Sequence, residues 1–244
     1  LPKWNEKITG THTFNFTNKL SIIDGLYRRF RFFWQTQFFS VIKPIWKIQV
    51  QNTKDSYELN SLKALQEENK EVFLLDEPIF KTYWEDQSKS SASSVSAVFD
   101  LGNEMLMMTN NVHLTISVKN EKIDLFTKKL NFDFKKRSVT SKNEVELKNS
   151  FLKLESKGFE LNQDKNGQSE LTLTEVYFMQ DNDTGNNLYG KADLIIYKSS
   201  SDIFTMIGSA QIKDESSVIN AEEIEFNFKT KNIVSSKKSK ITKS

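Results

Sequence analysis

Residues able to carry out acid–base or metal chemistry are scarce in this chain of 244 residues. It has two histidines, His12 and His113, and no cysteine, so thiolate and histidine-rich metal sites are both excluded. A histidine-based catalytic triad would have to use one of these two residues. His113 lies between Val112 and Leu114 on the polar side of a predicted strand, where we expect it to be an exposed partner of a neighbouring strand.

Acidic residues are numerous, but their spacing does not favour paired acid–base catalysis. Adjacent pairs occur at Glu67-Glu68, Asp76-Glu77 and Glu222-Glu223, and neighbouring side chains on a strand point to opposite faces. The sequence also lacks glycine-rich phosphate-binding loops of the Walker or dinucleotide type. We therefore expect a protein that is not an enzyme, uses no cofactor and holds no metal.

The composition argues against nucleic acid as a partner. Lys and Arg number 34 against 32 Asp and Glu, which leaves a net charge of +2 with both signs interspersed. The chain contains 19 Phe but only 8 Gly and 3 Pro, which is typical of a folded protein. We find neither an apolar run of membrane-spanning length nor a signal-peptide pattern in it.

The clearest element is an alternating stretch at residues 129–135, which has a near copy at residues 223–229. Apolar and polar residues alternate in both, which is the pattern of a strand with one buried face. The apolar positions are Leu130, Phe132 and Phe134 in the first stretch and Ile224, Phe226 and Phe228 in the second. We interpret the core as one strand pattern, repeated.

Residues before position 60 show weaker patterns. Alternation at residues 29–38 favours a strand. The spacing of Ile22, Leu26 and Phe30 leaves an amphipathic helix open as an alternative. Residues 45–50 alternate again and predict another strand, and beyond residue 60 we expect only strands joined by polar turns.

The near copy extends in both directions at a spacing of roughly a hundred residues. Residues 65–70 resemble 161–166, residues 77–80 resemble 175–178, and residues 108–114 resemble 206–212. Repeats too thin to bury their own apolar face gain stability by stacking into a continuous core. The predicted parts are N-terminal strands at 1–56, a first β unit at 57–153, a second β unit at 154–236 continuous with the first, and a basic disordered tail at 237–244.

Apolar residues in regular rows are the candidate functional residues. They are either the ordinary core of a sandwich or the lining of a lipid-binding groove left where two layers splay along one side. Phe and Met suit a groove, because flat rings and flexible thioethers line an adaptable surface. A β-sandwich adhesion or glycan-binding module without a groove remains the alternative. The candidate groove residues are Phe80, Phe99, Leu106, Met108, Leu114, Leu130, Phe132, Phe134, Phe178, Phe204, Met206, Ile224, Phe226 and Phe228.

Several segments, in order, resemble the periplasmic lipopolysaccharide-export proteins LptC and LptA, the OstA-like family. In the first unit these segments are residues 73–80, 97–100, 105–112, 130–133 and 139–141. In the second unit, residues 191–193, 207–210 and 220–224 look like the OstA pattern again. Asn110 departs from the pattern, since it stands where the family usually has Gly before Asn-Val. The resemblance covers roughly residues 57 to 233 and leaves an LptC-like or LptA-like role open.

The resemblance implies an all-β fold, an elongated twisted β-jellyroll of two antiparallel sheets, whose interior shields the acyl chains of lipopolysaccharide or another acylated glycolipid. It implies edge-strand pairing with LptA-like or LptC-like jellyrolls, with residues 29–51 and 221–229 as our candidate edges. An inner-membrane ABC transporter would supply the energy. Gly158, in a segment similar to a glycine region of LptC proteins, is expected to affect groove shape or partner contact.

The implied location is the periplasm. An N-terminal transmembrane helix, a cleavable signal or a lipobox, each outside the printed sequence, would distinguish an inner-membrane LptC role from a soluble bridge or a lipoprotein.

Overall fold

The structure is a computed structural model that describes residues 11–15, 38–49, 56–67, 70–83, 89–118, 121–149, 152–163, 168–180, 187–198, 201, 203–227, 230 and 232–243. Every regular element within these ranges is a β-strand. The strand or helix considered for residues 29–37 lies outside them.

The strands follow one another along the chain and are joined mostly by short turns. In the first half they are β1 (Thr11–Asn15), β2 (Phe38–Ile42), β3 (Ile45–Gln49), β4 (Ser56–Asn60), β5 (Lys63–Glu67), β6 (Val72–Asp76), β7 (Ile79–Tyr83), β8 (Lys89–Ser93), β9 (Ser96–Asp100), β10 (Met105–Val118), β11 (Glu121–Asp133), β12 (Ser138–Ser141) and β13 (Val145–Lys148). In the second half they are β14 (Leu152–Ser156), β15 (Gly158–Gln163), β16 (Ser169–Gln180), β17 (Leu188–Lys198), β18 (Ile203–Lys213), β19 (Ser217–Asn227), β20 (Asn232–Lys237) and β21 (Lys240–Lys243).

These strands form one sheet that is folded over into two layers. In the first layer β3, β4, β7 and β8 pair in that order, with β1 added in parallel to β3. In the second layer β2, β5, β6 and β9 pair in that order. The long strand β10 pairs with β9 through its first half and with β8 through its second half, so it runs through both layers.

The second half of the chain continues both layers. Strand β11 pairs with β12 in the second layer and with β13 in the first, and β14 and β15 extend them. Strands β16 to β19 each run through both layers, which end at β21 in the first layer and β20 in the second. The fold is an all-β jellyroll of two antiparallel layers, which confirms the predicted fold class.

Within the described residues, the chain crosses between the layers along one side, at a row of tight bends that we call the corner line. Left-handed backbone conformations make these bends, and the residues with positive φ there are Lys43, Glu77, Asn110, Asn111, Glu175, Gly208, Ser209 and Lys238. Backbone hydrogen bonds continue across the bends, as from Lys43 N to Leu62 O and from Leu62 N to Asp76 O, both at 3.0 Å. On the opposite side, turns such as residues 101–104 and 134–137 join strands within one layer. We call this the open side.

Side chains from both layers meet between them in one hydrophobic cluster that runs from Trp46 to Phe226. Inward and outward positions alternate along each strand, as in β14, where Leu152, Leu154 and Ser156 are buried and the residues between them are exposed. Burial of this apolar surface, at about 25 cal/mol per Å², is the main term that stabilises the fold. The cluster includes residues of both predicted units, so they share one core.

The strand boundaries agree in part with those predicted from the sequence. The strand predicted at residues 45–50 is β3, which confirms that prediction. The stretch at residues 129–135 is β11 only as far as Asp133, and Phe134 lies in the following turn. The stretch at 223–229 belongs to β19, which ends at Asn227, so Phe228 lies outside the described residues.

The C-terminus differs from the disordered tail predicted at residues 237–244. Strands β20 and β21 pair with the two halves of β19. Lys237 forms an ion pair with Glu223 at 2.6 Å, and Lys238 forms one with Glu222 at the same distance. The prediction of disorder rested on the lysine-rich composition. These lysine side chains are exposed on the surface of the sheet, where a charged residue is compatible with a strand. The described part of the candidate edge at residues 221–229, as far as Asn227, is therefore not an edge, because β20 and β21 cover β19.

Paired positions of the two units occupy similar places in the fold. Glu77 and Glu175 both have a φ of 47° at the corner line. Leu130 and Ile224 are both fully buried. The match of residues 65–70 with 161–166 fails, however, since Leu65 pairs with the exposed Ser40 on the outer face, whereas Leu161 packs against the core.

Candidate lipid-binding interior

The predicted groove residues lie together between the two layers. Twelve of the fourteen are buried; the other two are Phe134, which is half-buried, and Phe228, which lies outside the described residues. Those with an exposed fraction of 0% are Phe99, Leu106, Met108, Leu130, Met206 and Ile224. Side chains of the protein itself therefore fill the deep part of the interior, and a bound chain would have to displace or part them.

A second set of apolar side chains, missing from the predicted groove, lies nearer the open side. These side chains are half-buried and pack against the core from strand ends or turns. The signal that could have found them is the inward row of each strand, continued by two residues toward its turn. They are Phe73, Leu101, Ile116, Ile123, Val139, Leu161, Leu171, Leu188, Tyr197, Ile219 and Ile233.

Burial thus changes across the interior, from full burial in its deep part to half burial along the open side. In β16, for example, Leu173 is 1% exposed, while Leu171, two residues closer to the turn, is half-buried. The open side therefore presents a row of apolar side chains that solvent reaches in part.

Aromatic rings concentrate in the first unit. The Phe80 ring centroid lies 4.7 Å from that of Phe132 and 5.6 Å from that of Tyr57. Trp46 contacts Phe73 and Phe99 edge-on at 5.6 and 5.7 Å. Most of these pairs join a ring of the first layer to a ring of the second. Such geometry contributes about 0.5–1.5 kcal/mol per pair beyond area burial.

Two glycines allow close approach of neighbouring strands. A Cβ at Gly158, at the start of β15, would lie 2.5 Å from Thr174 Oγ1 on β16. A Cβ at Gly190 would collide with the ring of Phe178, which lies across it. The position of Gly158 beside the corner line supports the prediction that it affects groove shape, which stays a prediction.

The interior is incompletely covered at its C-terminal end. Ile241 on β21 pairs with the inward-facing Ile219 of β19, so it faces the interior. Nevertheless 64% of Ile241 is exposed, since it lies on the last strand of the first layer. An exposed, inward-facing apolar residue on an edge strand is the geometry that strand addition by another sheet would complete.

His113 lies on the outer face of the first layer, as the sequence predicts. Its ring stacks on Phe126 with centroids 4.5 Å apart, and its Nε2 is 2.8 Å from Asp124 Oδ1. Hydrogen bonds from Thr115 and His113 hold the pKa of the Asp124 carboxyl below its ordinary value. These contacts make His113 a partly exposed cross-strand partner.

Metal and membrane-spanning features are not found in the part of the chain that the structure describes. Within it, no three histidine, aspartate or glutamate side chains are grouped so as to hold a metal ion. The same residues include no helix long and apolar enough to cross a membrane.

The folded sheet and its continuous apolar interior define an all-β jellyroll, and comparison with known proteins gives the family. A family model described as "Lipopolysaccharide-assembly, LptC-related" matches residues 47–175. Because this match covers more than half of the chain, the protein belongs to that family. A second model, "LptA/(LptD N-terminal domain) LPS transport protein", matches residues 125–232. The two matches confirm the resemblance to LptC and LptA.

One solved structure similar to the chain is the crystal structure of LptH from Pseudomonas aeruginosa, described as the LptA-homologous periplasmic component of the lipopolysaccharide transport device. The two chains are 19% identical, and the match covers 50% of this chain and 93% of LptH with a TM-score of 0.43. No curated protein sequence matches the chain.

Proposed function

We propose that this protein is a non-enzymatic, periplasmic component of a lipopolysaccharide export bridge, and that its interior shields the acyl chains of the cargo from water. Membership of the LptC-related family supports the transport role. The observation that carries the lipid-binding part is the row of half-buried apolar side chains along the open side, above a continuous apolar interior.

The energetics of an acyl chain explain why continuous cover matters. Each methylene exposed to water costs about 0.8 kcal/mol, so a chain of about twelve carbons costs on the order of 10 kcal/mol. An apolar interior that is continuous through both units offers such a chain cover at successive positions. The cargo then moves along without a deep trap, while an inner-membrane ABC transporter supplies the energy.

The ends of the jellyroll are the proposed contacts with other bridge proteins. The exposed, inward-facing Ile241 on edge strand β21 is suited to continue the apolar interior into a second LptA-like or LptC-like jellyroll. Main-chain pairing of β20 and β21 with an edge strand of that partner would fix the alignment of the two jellyrolls.

The proposed cargo site can be tested by photocrosslinking from inside and outside the jellyroll. A photoreactive residue replaces Leu171, which faces the interior near the open side, or its neighbour Thr172, which faces outward on the same strand. On incubation with rough-type lipopolysaccharide, we expect lipid adducts at position 171 and few at position 172. Equal capture at the two positions, or none at position 171, would contradict the proposal.

A glycan-binding module is the second candidate, and one observation favours it. Tyr177 and Tyr189 are 63% and 47% exposed on the outer face of the first layer. Exposed aromatic rings beside polar side chains are suited to bind sugars. Titration with a lipid-free oligosaccharide would support this candidate if binding disappeared in Tyr177→Ala while capture of lipid at position 171 was absent.

A further inference from the structure

Phe134 occupies a special place in the ring cluster of the first unit. It lies in the turn at residues 134–137 on the open side, directly after β11. Its backbone N donates a hydrogen bond to Glu104 O at 3.0 Å, which ties this turn to the turn at residues 101–104. The backbone that carries the ring is therefore held at a fixed point on the edge of the second layer.

The ring itself reaches across to the first layer. Its centroid is 5.3 Å from that of Tyr57 on β4 and 5.6 Å from that of Phe80 on β7, and both strands belong to the first layer. It also meets Phe99 of the second layer edge-on at 6.4 Å. Phe134 thus joins the two layers at the side opposite the corner line.

Burial places Phe134 outermost in this cluster. Tyr57, Phe80 and Phe99 are 5%, 1% and 0% exposed, whereas Phe134 is only half-buried. An acyl chain that approaches these three rings from the open side meets the Phe134 ring first.

The described residues of the second unit show a different arrangement near the open side. There the half-buried side chains include Leu161, Leu171 and Leu188. The pair of Tyr197 and Phe204 joins neighbouring strands β17 and β18 within the second layer. The second unit therefore serves as an internal control for the effect of a change at Phe134 in the first unit.

We propose that Phe134 is a closing residue of the first unit, whose ring must leave its contacts with Tyr57 and Phe80 before an acyl chain enters there. This inference rests on the proposed function, and it adds that access to the interior is controlled by a named side chain. The residue acts by position, because its half-buried ring lies outside the fully buried rows.

The test uses the absence of cysteine from the chain. A single thiol is introduced by Leu106→Cys in the first unit or by Met206→Cys in the second, at positions that are both 0% exposed. A methanethiosulfonate reagent with a dodecyl chain then serves as the acyl probe, and the rate of labelling reports how often the probe reaches each position.

We expect Phe134→Ala to raise the labelling rate at position 106 by about tenfold and to change the rate at position 206 by less than about twofold. Phe134→Tyr, which keeps the ring, should leave both rates unchanged. Phe134→Leu serves in place of Phe134→Ala if that variant does not fold. An equal rise at both positions would mean general loosening and would overturn the inference, as would no rise at position 106.

Failure of this inference is distinguishable from failure of the proposed function. If lipopolysaccharide is captured at position 171 while labelling at position 106 does not depend on Phe134, only the closing role is lost. If position 171 captures no lipopolysaccharide, the lipid-binding function itself fails, whatever the labelling rates are.

Discussion

Gly190 shows how closely the interior is fitted at the level of single residues. The ring of Phe178 lies across Gly190 on the neighbouring strand, in the space that a Cβ would occupy. The ring centroid of Phe178 also lies 6.2 Å from that of Phe226 in the opposite layer, so the Phe178 ring cannot shift without disturbing that contact. Glycine at position 190 therefore allows an aromatic side chain to link the two layers of the second unit.

We predict that Gly190→Ala lowers the free energy of unfolding by about 1–3 kcal/mol, because the added methyl group overpacks the Phe178 ring. Equilibrium unfolding in guanidinium chloride would measure the change. Gly102→Ala is the matched control, since its Cβ would meet side-chain carboxylate oxygens at less severe distances, Glu71 Oε2 at 3.3 Å and Asp100 Oδ1 at 3.5 Å. A cost for Gly190→Ala no larger than that of the control would contradict the packing argument.

Single residues also show where sequence reasoning reached its limit. Alternation along residues 129–135 identified Leu130 and Phe132 as inward-facing, and both are buried. The same alternation could not reveal that Phe134 lies beyond the end of β11, because Phe134 and Lys135 continue the alternating pattern past Asp133. Ring contacts across the layers depend on tertiary structure and leave no local signal.

Among the structural elements, the corner line is the one whose residue types were visible in the sequence but were not recognised there as bends. Asn110 departs from the glycine expected in the family pattern, and it has a φ of 65° at a corner of β10. Gly208, at the matching corner of β18, has a φ of 72°. Asparagine and glycine adopt this left-handed conformation more readily than other residues, which explains the departure.

We predict that Asn110→Ala destabilises the protein by about 1–2 kcal/mol, because alanine pays the steric cost of a left-handed backbone. Loss of the hydrogen bond from Asn110 Nδ2 to Ser96 Oγ, 3.2 Å long, adds to this effect. Asn110→Gly also removes that hydrogen bond but permits the conformation, so it should cost less than Asn110→Ala. Thermal unfolding of both variants gives the comparison, and equal losses would show that strain at the corner is unimportant.

The strands and their inward faces were largely predictable, whereas the bends and the last strand were not. Period-two alternation is a local property and located β3 and the last part of β11, residues 129–133. The resemblance of residues 65–70 to 161–166 did not show that Leu65 faces outward, because a register shift of one position moves every side chain of a strand to the opposite face. Strand β21, which lies in the predicted tail, was missed because it is polar and is stabilised by pairing with β19.

At the scale of the whole molecule, the two layers and their shared core form a continuous unit that ends in strands with an open edge. The family models reflect this continuity, since the matches overlap between residues 125 and 175. At the C-terminal end, Ile241 faces the interior but remains 64% exposed. A second jellyroll that added a strand to β21 would bury this side chain and extend the apolar interior.

We therefore predict that Ile241→Asp weakens binding to an LptA-like jellyroll by at least about tenfold, because a charge would be buried in the extended interior. Since Ile241 is largely exposed in this chain alone, the unfolding midpoint of the isolated protein should change little in this variant. Thr242→Asp is the matched control, because it adds the same charge outside the interior. Thr242 pairs with Val218 on the outer face. Binding to the immobilised partner would be measured by interferometry, and equal losses in the two variants would indicate a general charge effect instead of a continuous apolar passage.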